Sequence, residues 1–194
     1  MQIYHLPSTI YHLPPTTYHL PSTDVPMITI RAERTEDVDA VRHINQAAFE
    51  TPAESALVDR LRTRGRLLVS LVAEDEEGAV GHIAFSPVTL DGRPDLRGAG
   101  LGPMAGLPRV QKRGIGSQLV RAGLDECRRP GLDYAVVLGH PHYYPRFDFA
   151  PASRFGLRCI WPVPDGVFMA IELRAGALAG CAGLIAYEPE FNDV

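Results

Sequence analysis

The chain has 194 residues, a length that suits one globular domain with or without a tail. Hydrophobic residues make up 45% and charged residues 22%, which excludes wholesale disorder. The formal net charge of -4 offers no positive field for nucleic acid or an anionic membrane surface, so neither is an expected partner. Three cysteines without CxxC spacing, and the lack of an apolar run that could span a bilayer, predict a cytoplasmic protein without a disulfide framework or a metal site.

Residues 4–24 consist of three seven-residue units, YHLPSTI, YHLPPTT and YHLPSTD. Prolines in every unit exclude a coiled coil, because each proline removes a backbone donor and clashes with a helical backbone. The sequence predicts a low-complexity tail over 1–26 that is disordered or that precedes the true start codon at Met27. Metal binding by its histidines is the alternative for this tail. The folded domain is expected over 27–194.

Hydrophobic periodicity and turn residues give the elements of the first half of this domain. In chain order they are a strand over 28–31, a helix from Thr35 to Phe49, a helix between Pro52 and Gly65, and a hairpin of strands over 67–74 and 79–90. The acidic stretch at 75–78 is interpreted as the solvated turn of that hairpin.

The second half alternates strands with a helix and with loops rich in glycine and proline. Its expected elements are a loop over 90–100, a strand over 99–107, a helix over 115–128, a buried strand over 134–139, a turn or helix over 140–149, and strands over 166–172 and 184–187. The order has no second core, and it predicts one α+β domain with a mixed sheet.

The stretch from Gln111 to Ser117, QKRGIGS, joins a predicted strand to a predicted helix. Its two glycines let backbone N–H groups turn inward, and the helix N-terminus adds unpaired donors and partial positive charge. Lys112 and Arg113 add full charges, so the turn suits a pyrophosphate, with an ordinary loop as the alternative. The stretch matches neither GxxxxGKS nor GxGxxG, which disfavours a nucleoside triphosphatase or a dinucleotide-binding turn.

This turn resembles the motif of the GNAT superfamily of acetyl-coenzyme A-dependent N-acetyltransferases: Gln or Arg, two residues, Gly, any residue, then Gly or Ala. Gln111, Gly114 and Gly116 fill the motif. The resemblance extends from about Ile28 to the C-terminus and includes the strand order. Residues 139–152, GHPHYYPRFDFAPA, resemble a bacterial branch of small acetyltransferases that usually reads Phe-Gly-Phe at 147–149.

The resemblance implies a GNAT-like α+β fold, with a mixed, mostly antiparallel central sheet flanked by helices. It implies acetyl-coenzyme A (acetyl-CoA) as co-substrate and no metal. Amides from Arg113 to Ser117 would cradle the pyrophosphate, and Met104 to Leu107 would run beside the pantetheine. An amide between Met104 and Gly106 would polarise the thioester carbonyl. The implied cofactor-binding residues are Met104, Ala105, Gly106, Leu107, Gln111, Lys112, Arg113, Gly114, Ile115, Gly116 and Ser117.

The resemblance also implies that Tyr144 protonates the departing thiolate, because the family spacing to Phe149 selects it over Tyr143. Packing against the cofactor is the other interpretation of Tyr144. Glu54, at the start of the second helix, is the second candidate catalytic residue, since a carboxylate there can bind an amine or relay its proton. A capping or surface role for Glu54 is equally open. Asp148 is expected to lie near the thiol end of the cofactor.

The remaining candidates are interpreted mainly as structural. His82 is expected to be a hydrogen-bonded core histidine and Cys127 a core residue of the helix. Core packing is likewise favoured over the acceptor site for Trp161 and Phe168. Substrate contact is a minority interpretation for His140 and His142, which flank a strand end.

The expected function is transfer of the acetyl group of acetyl-CoA to a primary amine of a small molecule or protein, by direct attack in a ternary complex. A GNAT-fold sensor or interaction module that binds acetyl-CoA with little catalysis is the alternative. Homodimers are common among the resembling proteins, but the chain itself indicates no interface. The identity of the amine is not encoded in any motif, because fold does not fix function.

Overall fold

The apolar spacing of the sequence produces the expected helices and strands over residues 27–193, the part of the chain that the computed structural model describes. The strands are β1 (Thr29–Ala32), β2 (Val69–Asp75), β3 (Gly78–Leu90), β4 (Gly98–Gly106), β5 (Tyr134–Leu138), β6 (Ala150–Pro151), β7 (Leu157–Cys159), β8 (Phe168–Glu172) and β9 (Gly183–Tyr187). The helices are α1 (Val38–Ala48), α2 (Ala53–Thr63) and α3 (Ile115–Arg128). The YHLP repeat and the boundary predicted at residue 26 lie outside the described residues.

The strands form one sheet in the order β1-β2-β3-β4-β5-β8-β6, and β9 pairs with the end of β3 and with β7. Most neighbours are antiparallel, whereas β4 with β5 and β7 with β9 are parallel. The predicted fold class, a mixed and mostly antiparallel sheet flanked by helices, is confirmed. The sequence did not predict β6 and β7, because strands of two and three residues are too short to show periodicity.

The helices cover opposite faces of the sheet. Neighbouring residues of a strand point to opposite faces, and on β3 Gly81 meets α3 whereas His82 meets α1. The contact with α3 is close, because a Cβ on Gly123 of α3 would lie 2.4 Å from the ring of Phe85. Cys127 is fully buried on this helix, and burial raises the pKa of its thiol to about 12, so it is the core residue expected.

A buried polar network lies on the α1 side of β3. His82 is fully buried, and its Nδ1 lies 3.3 Å from Nδ2 of Asn45 while its Nε2 lies 3.0 Å from Oγ of Ser70. Ser70 also hydrogen-bonds Glu33, which accepts two bonds from Arg62 at 2.7 and 3.0 Å. Burial, with the charge of Arg62 as a second cause, lowers the pKa of His82 to about 3. The structural interpretation of His82 is therefore confirmed.

Among residues 27–193, no helix combines the length and the apolar character needed to cross a bilayer.

Candidate active site

The central strands part at one end of the sheet. The parallel ladder of β4 and β5 runs from Gly98↔Tyr134 to Leu101↔Val137 and stops there. The ladder of β3 and β4 continues through a bulge to Gly81↔Gly106. Residues 104–106 of β4 therefore pair with β3 on one side, 102 and 103 lie in the bulge, and the whole stretch 102–106 presents an open edge on the other side. Such an edge offers unpaired backbone N–H and C=O groups to an extended ligand.

A cleft of about 920 Å³ opens between the parted strands. Nine of the eleven predicted cofactor-binding residues line it, and so do both predicted catalytic residues, Tyr144 and Glu54. The nine are Met104, Ala105, Gly106, Gln111, Lys112, Gly114, Ile115, Gly116 and Ser117. The fold thus brings four separate segments of the chain to one cavity: residue 54, residues 104–106, residues 111–117 and residue 144.

Leu107 and Arg113 are the two predicted residues that do not line the cleft. The N–H of Leu107 donates to the carbonyl of Val80 at 2.9 Å, and its side chain packs against the apolar core. Arg113 is exposed on the outside of the turn. Neither side chain is directed into the cavity that the other nine residues share.

The turn before α3 exposes a run of backbone donors. Lys112 and Gly114 have φ values of 63° and 84°, and a left-handed conformation at alternate positions curls the N–H groups toward one centre. Within the described residues, the N–H groups of 112–117 reach no backbone carbonyl, and the first bond of α3 runs from Gln118 to Gly114. The side chain of Gln111 donates to the Gly106 carbonyl at 3.0 Å, so it ties this turn to the open end of β4. We call residues 111–117 the phosphate turn.

Tyr144 lies in a short 3-10 turn, Tyr144–Phe147, and is 7% exposed. Its ring meets those of Tyr143 and Phe149 edge to face, with centroids 5.1 and 5.7 Å apart. A Cβ on Gly139 would lie only 2.2 Å from this ring, so the chain at the end of β5 can pass there only as glycine. Burial raises the pKa of Tyr144 to about 12, and the phenol therefore keeps its proton at neutral pH.

Tyr143 also lines the cleft, but it faces the phosphate turn. Its hydroxyl would be 2.8 Å from a Cβ on Gly116, in the first turn of α3. The guanidinium of Arg146 stacks over the Tyr143 ring at 4.6 Å, which brings a further cation to this side of the cavity. Tyr143 and Tyr144 are adjacent in the chain but contact different parts of the cleft: Tyr143 faces the first turn of α3, and Tyr144 packs against the end of β5.

Glu54 is half-buried in the first turn of α2. Its carboxylate accepts a long bond of 3.4 Å from the Thr51 hydroxyl, which also accepts from the Ala53 N–H at 3.3 Å. Within the described residues the Glu54 carboxylate accepts no bond from the backbone of α2, and it lines the cleft from the first turn of that helix.

Asp148 corrects one expectation. It is exposed, has a φ of 68°, and does not line the cleft, so it is not near the thiol end of a ligand held there. A left-handed φ favours glycine, and Asp is among the residues that tolerate it. His140 lines the cleft whereas His142 does not, and Phe168 is buried in the core as expected.

Three aromatic residues that no motif indicated form one side of the cleft, and we call them the aromatic wall: Trp161, Tyr187 and Phe191. The ring centroids of Trp161 and Tyr187 are 5.2 Å apart, and those of Tyr187 and Phe191 are 5.1 Å apart. Trp161 packs against the core, as expected, and also borders the cavity. Among the described residues, no group of three or more His, Cys, Asp or Glu could hold a metal ion.

Comparison with known proteins agrees with this geometry. Residues 38–149 match the model of the acetyltransferase (GNAT) family. The chain is 40% identical over 164 residues to the uncharacterized N-acetyltransferase YhbS of Escherichia coli, covering 84% of this chain and 98% of that protein. It is 36% identical over 133 residues to the uncharacterized N-acetyltransferase YjhQ of Escherichia coli, covering 66% of this chain and 74% of that protein.

Solved structures carry the same fold. The structure of YhbS from Escherichia coli in complex with CoA has a TM-score of 0.83 and 36% identity, and the match covers 94% of this chain and 96% of that one. A GNAT acetyltransferase from Brucella melitensis in complex with acetyl-CoA has a TM-score of 0.70 and 33% identity, covering 85% and 98%. The family model, the relatives and the solved structures agree with the phosphate turn and the parted strands, and they show that the chain belongs to the GNAT family of N-acetyltransferases.

Proposed function

We propose that this protein transfers the acetyl group of acetyl-CoA directly to a primary amine while both substrates are bound. The observation that carries the proposal is a single cleft that joins the phosphate turn, the open edge of β4 and the buried phenol of Tyr144. Direct transfer requires two substrates held side by side, which supplies much of the rate enhancement by proximity. A cavity of about 920 Å³ has room for the reactive ends of both.

The cofactor end fits the chemistry of acetyl-CoA. A pyrophosphate requires converging donors and positive charge, and the phosphate turn supplies unpaired N–H groups, Lys112 and the N-terminus of α3. The first turn of α3 carries no acidic residue that would repel it. The amide-bearing pantetheine arm fits the open edge at 102–106, where it can pair as an added strand would.

The reaction needs donors for the developing oxyanion, a group that accepts a proton from the nitrogen, and a proton for the departing sulfur. The amine nitrogen attacks the thioester carbon, the C–S bond breaks, and the proton lost by nitrogen balances the proton gained by sulfur. Backbone N–H groups between Met104 and Gly106 are the donors proposed for the developing oxyanion. The acceptor binds as an ammonium ion, and Glu54 is the group proposed to hold it and to accept the proton whose loss leaves the neutral nitrogen that attacks.

Tyr144 is proposed to assist the leaving sulfur. A thiol, with an ordinary pKa of about 8.5, is a stronger acid than a phenol whose pKa is raised to about 12. Tyr144 therefore donates a hydrogen bond to the sulfur as negative charge develops, and a full transfer of its proton has to be coupled to C–S cleavage. A phenol that stays protonated at neutral pH is always ready to donate.

The substitution Tyr144→Phe tests this role. It should lower kcat about 100-fold, a typical loss for a missing acid, and leave the KM for acetyl-CoA nearly unchanged. Tyr134→Phe is the matched control, because it removes a buried hydroxyl without a partner in the described structure and outside the cleft. A kcat within threefold of the parent at saturating amine would refute the role. Tight acetyl-CoA binding without thiol release for any amine would favour a binding module over an enzyme.

A further inference from the structure

The end of the cleft away from the phosphate turn is apolar and aromatic. The aromatic wall forms one side of it, and the end of α1 and the first turns of α2 contribute Phe49, Glu54 and Leu57. We call these six residues the amine end. Five of their side chains are apolar or aromatic and one is a carboxylate.

The aromatic wall stands where the strands part. A Cβ on Gly100 of β4 would lie 2.6 Å from the ring of Tyr187, and a Cβ on Gly102 would lie 3.9 Å from Phe191. The β4–β5 ladder ends between these two glycines, at Leu101. The wall therefore borders the point at which the open edge of β4 begins, so a ligand resting on it lies close to the reacting groups.

The C-terminal turn is the short 3-10 helix Pro189–Asp193, and its contacts with α2 and the residues that follow it keep Phe191 in place. Arg64 pairs with the buried carboxylate of Glu190 at 2.9 Å, and Arg60 donates to the Glu190 carbonyl at 3.0 Å. Arg66 pairs with Glu188 at 3.4 Å on the same side. Ion pairs thus flank Phe191 and hold it against the helix that carries Glu54 and Leu57.

Charge at the amine end has one sign. Glu54 is the single acidic residue among the described residues that line the cleft. The two lining residues with a fixed positive charge belong to the other end, since Lys112 is in the phosphate turn and Arg146 stacks on Tyr143 beside Gly116. An ammonium group would meet a carboxylate and aromatic faces here, whereas a carboxylate on the acceptor would meet no cation.

From this arrangement we infer that the acceptor is a primary amine joined by a short spacer to an aromatic or similarly bulky apolar group, without a carboxylate. The inference rests on the proposed function and names its substrate class. The wall buries the apolar body, and Glu54 orients the ammonium group toward the parted strands. A free amino acid would bring its carboxylate beside Glu54, and a polyamine would bring a second cation to a cleft whose described lining has one carboxylate to pair both.

The single tryptophan of the chain, Trp161, provides a direct test, because its fluorescence reports on the aromatic wall. The full chain saturated with CoA, which cannot donate an acetyl group, is titrated with 2-phenylethylamine, phenylalanine and spermidine. We expect 2-phenylethylamine to change the fluorescence at a half-saturating concentration at least tenfold below that of the other two. Equal or tighter binding of phenylalanine or spermidine, or no saturable change with 2-phenylethylamine, would overturn the inference.

Variants separate the apolar contact from the charge. Phe191→Ala should weaken 2-phenylethylamine about tenfold, while Leu68→Ala, an exposed apolar residue outside the cleft, should leave it unchanged. Glu54→Gln should weaken 2-phenylethylamine about fivefold and leave the neutral isostere 2-phenylethanol unaffected. Equal effects of Glu54→Gln on amine and alcohol would overturn the assignment of Glu54.

Because this titration involves no acetyl transfer, its failure is distinct from failure of the proposed function. Thiol release is measured in parallel with the same amines and acetyl-CoA. Turnover that favours phenylalanine or spermidine would leave the acetyltransferase reaction standing and reject the aromatic acceptor. Selective binding of 2-phenylethylamine without any turnover would support the predicted ligand class and reject the acetyltransferase reaction.

Discussion

The two ends of the cleft are built from different parts of the polypeptide. The phosphate turn uses the backbone N–H groups of consecutive residues, held by left-handed conformations at Lys112 and Gly114. The amine end uses side chains from α1, α2, β9, the loop after β7 and the C-terminal turn. In the proposed reaction, the backbone donors of the turn bind the pyrophosphate and the side chains of the amine end select the amine. One end can therefore stay constant while the other changes its specificity.

The largest expected effect comes from the backbone of the phosphate turn. Gly114→Ala places a Cβ on a residue with a φ of 84°, a conformation that costs an L-residue about 1–2 kcal/mol, and relaxation turns the N–H groups away from their common centre. We expect acetyl-CoA to bind about 100-fold more weakly, or ~2.7 kcal/mol by calorimetry. Thiol-release assays should show the KM for the amine nearly unchanged.

Gly92→Ala is the matched control for this substitution. Gly92 has a φ of 73° in an exposed turn outside the cleft, and a Cβ there would meet nothing within 4 Å, as at Gly114. Both variants should lose similar folding free energy, but only Gly114→Ala should lose affinity for acetyl-CoA. Equal affinities in the two variants would show that the shape of the turn does not govern binding.

The helices that lead to the two ends of the cleft pack on different surroundings, and only the surroundings of α1 include a buried histidine whose protonation changes stability with pH. The phosphate turn leads into α3, which packs on the sheet through its own apolar residues such as Leu119, whereas α1 leads to Phe49 and contacts the buried His82 through Asn45. The pKa of His82 is about 3 in the folded chain and about 6.5 when unfolded, so folding favours the neutral ring. This stability is fully present above pH 6.5 and is lost as pH falls toward 3.

Between pH 7.5 and pH 5, the linkage of His82 should lower the free energy of unfolding by about 2 kcal/mol. Urea unfolding at a series of pH values measures this change. His82→Gln serves as the control, because its neutral amide cannot titrate and should flatten this part of the profile even if the variant is less stable. An unchanged slope in His82→Gln would show that groups other than His82 cause the acid sensitivity.

The same difference between the two ends explains how far the sequence alone could predict the site. Gln111, Gly114 and Gly116 lie within one short segment, so their spacing is visible without a structure. Trp161 and Phe191 are separated by strands β8 and β9, and only the pairing of β9 with β3 and β7 brings their segments together. No local pattern encodes such a wall, which is why core packing was the favoured interpretation of Trp161.

The fold elements also divide into those that the sequence predicts and those that it does not. Long elements such as β3 and α3 were predicted because their apolar residues recur over three or more turns or pleats. The short strands β6 and β7 depend on their neighbours in the sheet and leave no periodic pattern. Asp148 was expected near the thiol end because the segment 147–149 resembles Phe-Gly-Phe, whereas the structure has it exposed, with a φ of 68° and outside the cleft lining.

Substitutions of Asp148 test whether the turn after Tyr144 belongs to the amine end of the cleft. We expect them to change stability and turnover less than any substitution above. Asp148→Gly relieves a left-handed conformation but adds freedom to the unfolded chain, and the two contributions nearly cancel. We expect the free energy of unfolding to change by less than about 0.5 kcal/mol and kcat to stay within twofold. Asp148→Asn, which keeps the Cβ and removes the charge, is the matched control in the same thiol-release assay. A loss of turnover shared by both variants would mean that the Asp148 charge acts on the reacting groups, and the turn after Tyr144 would then belong to the amine end.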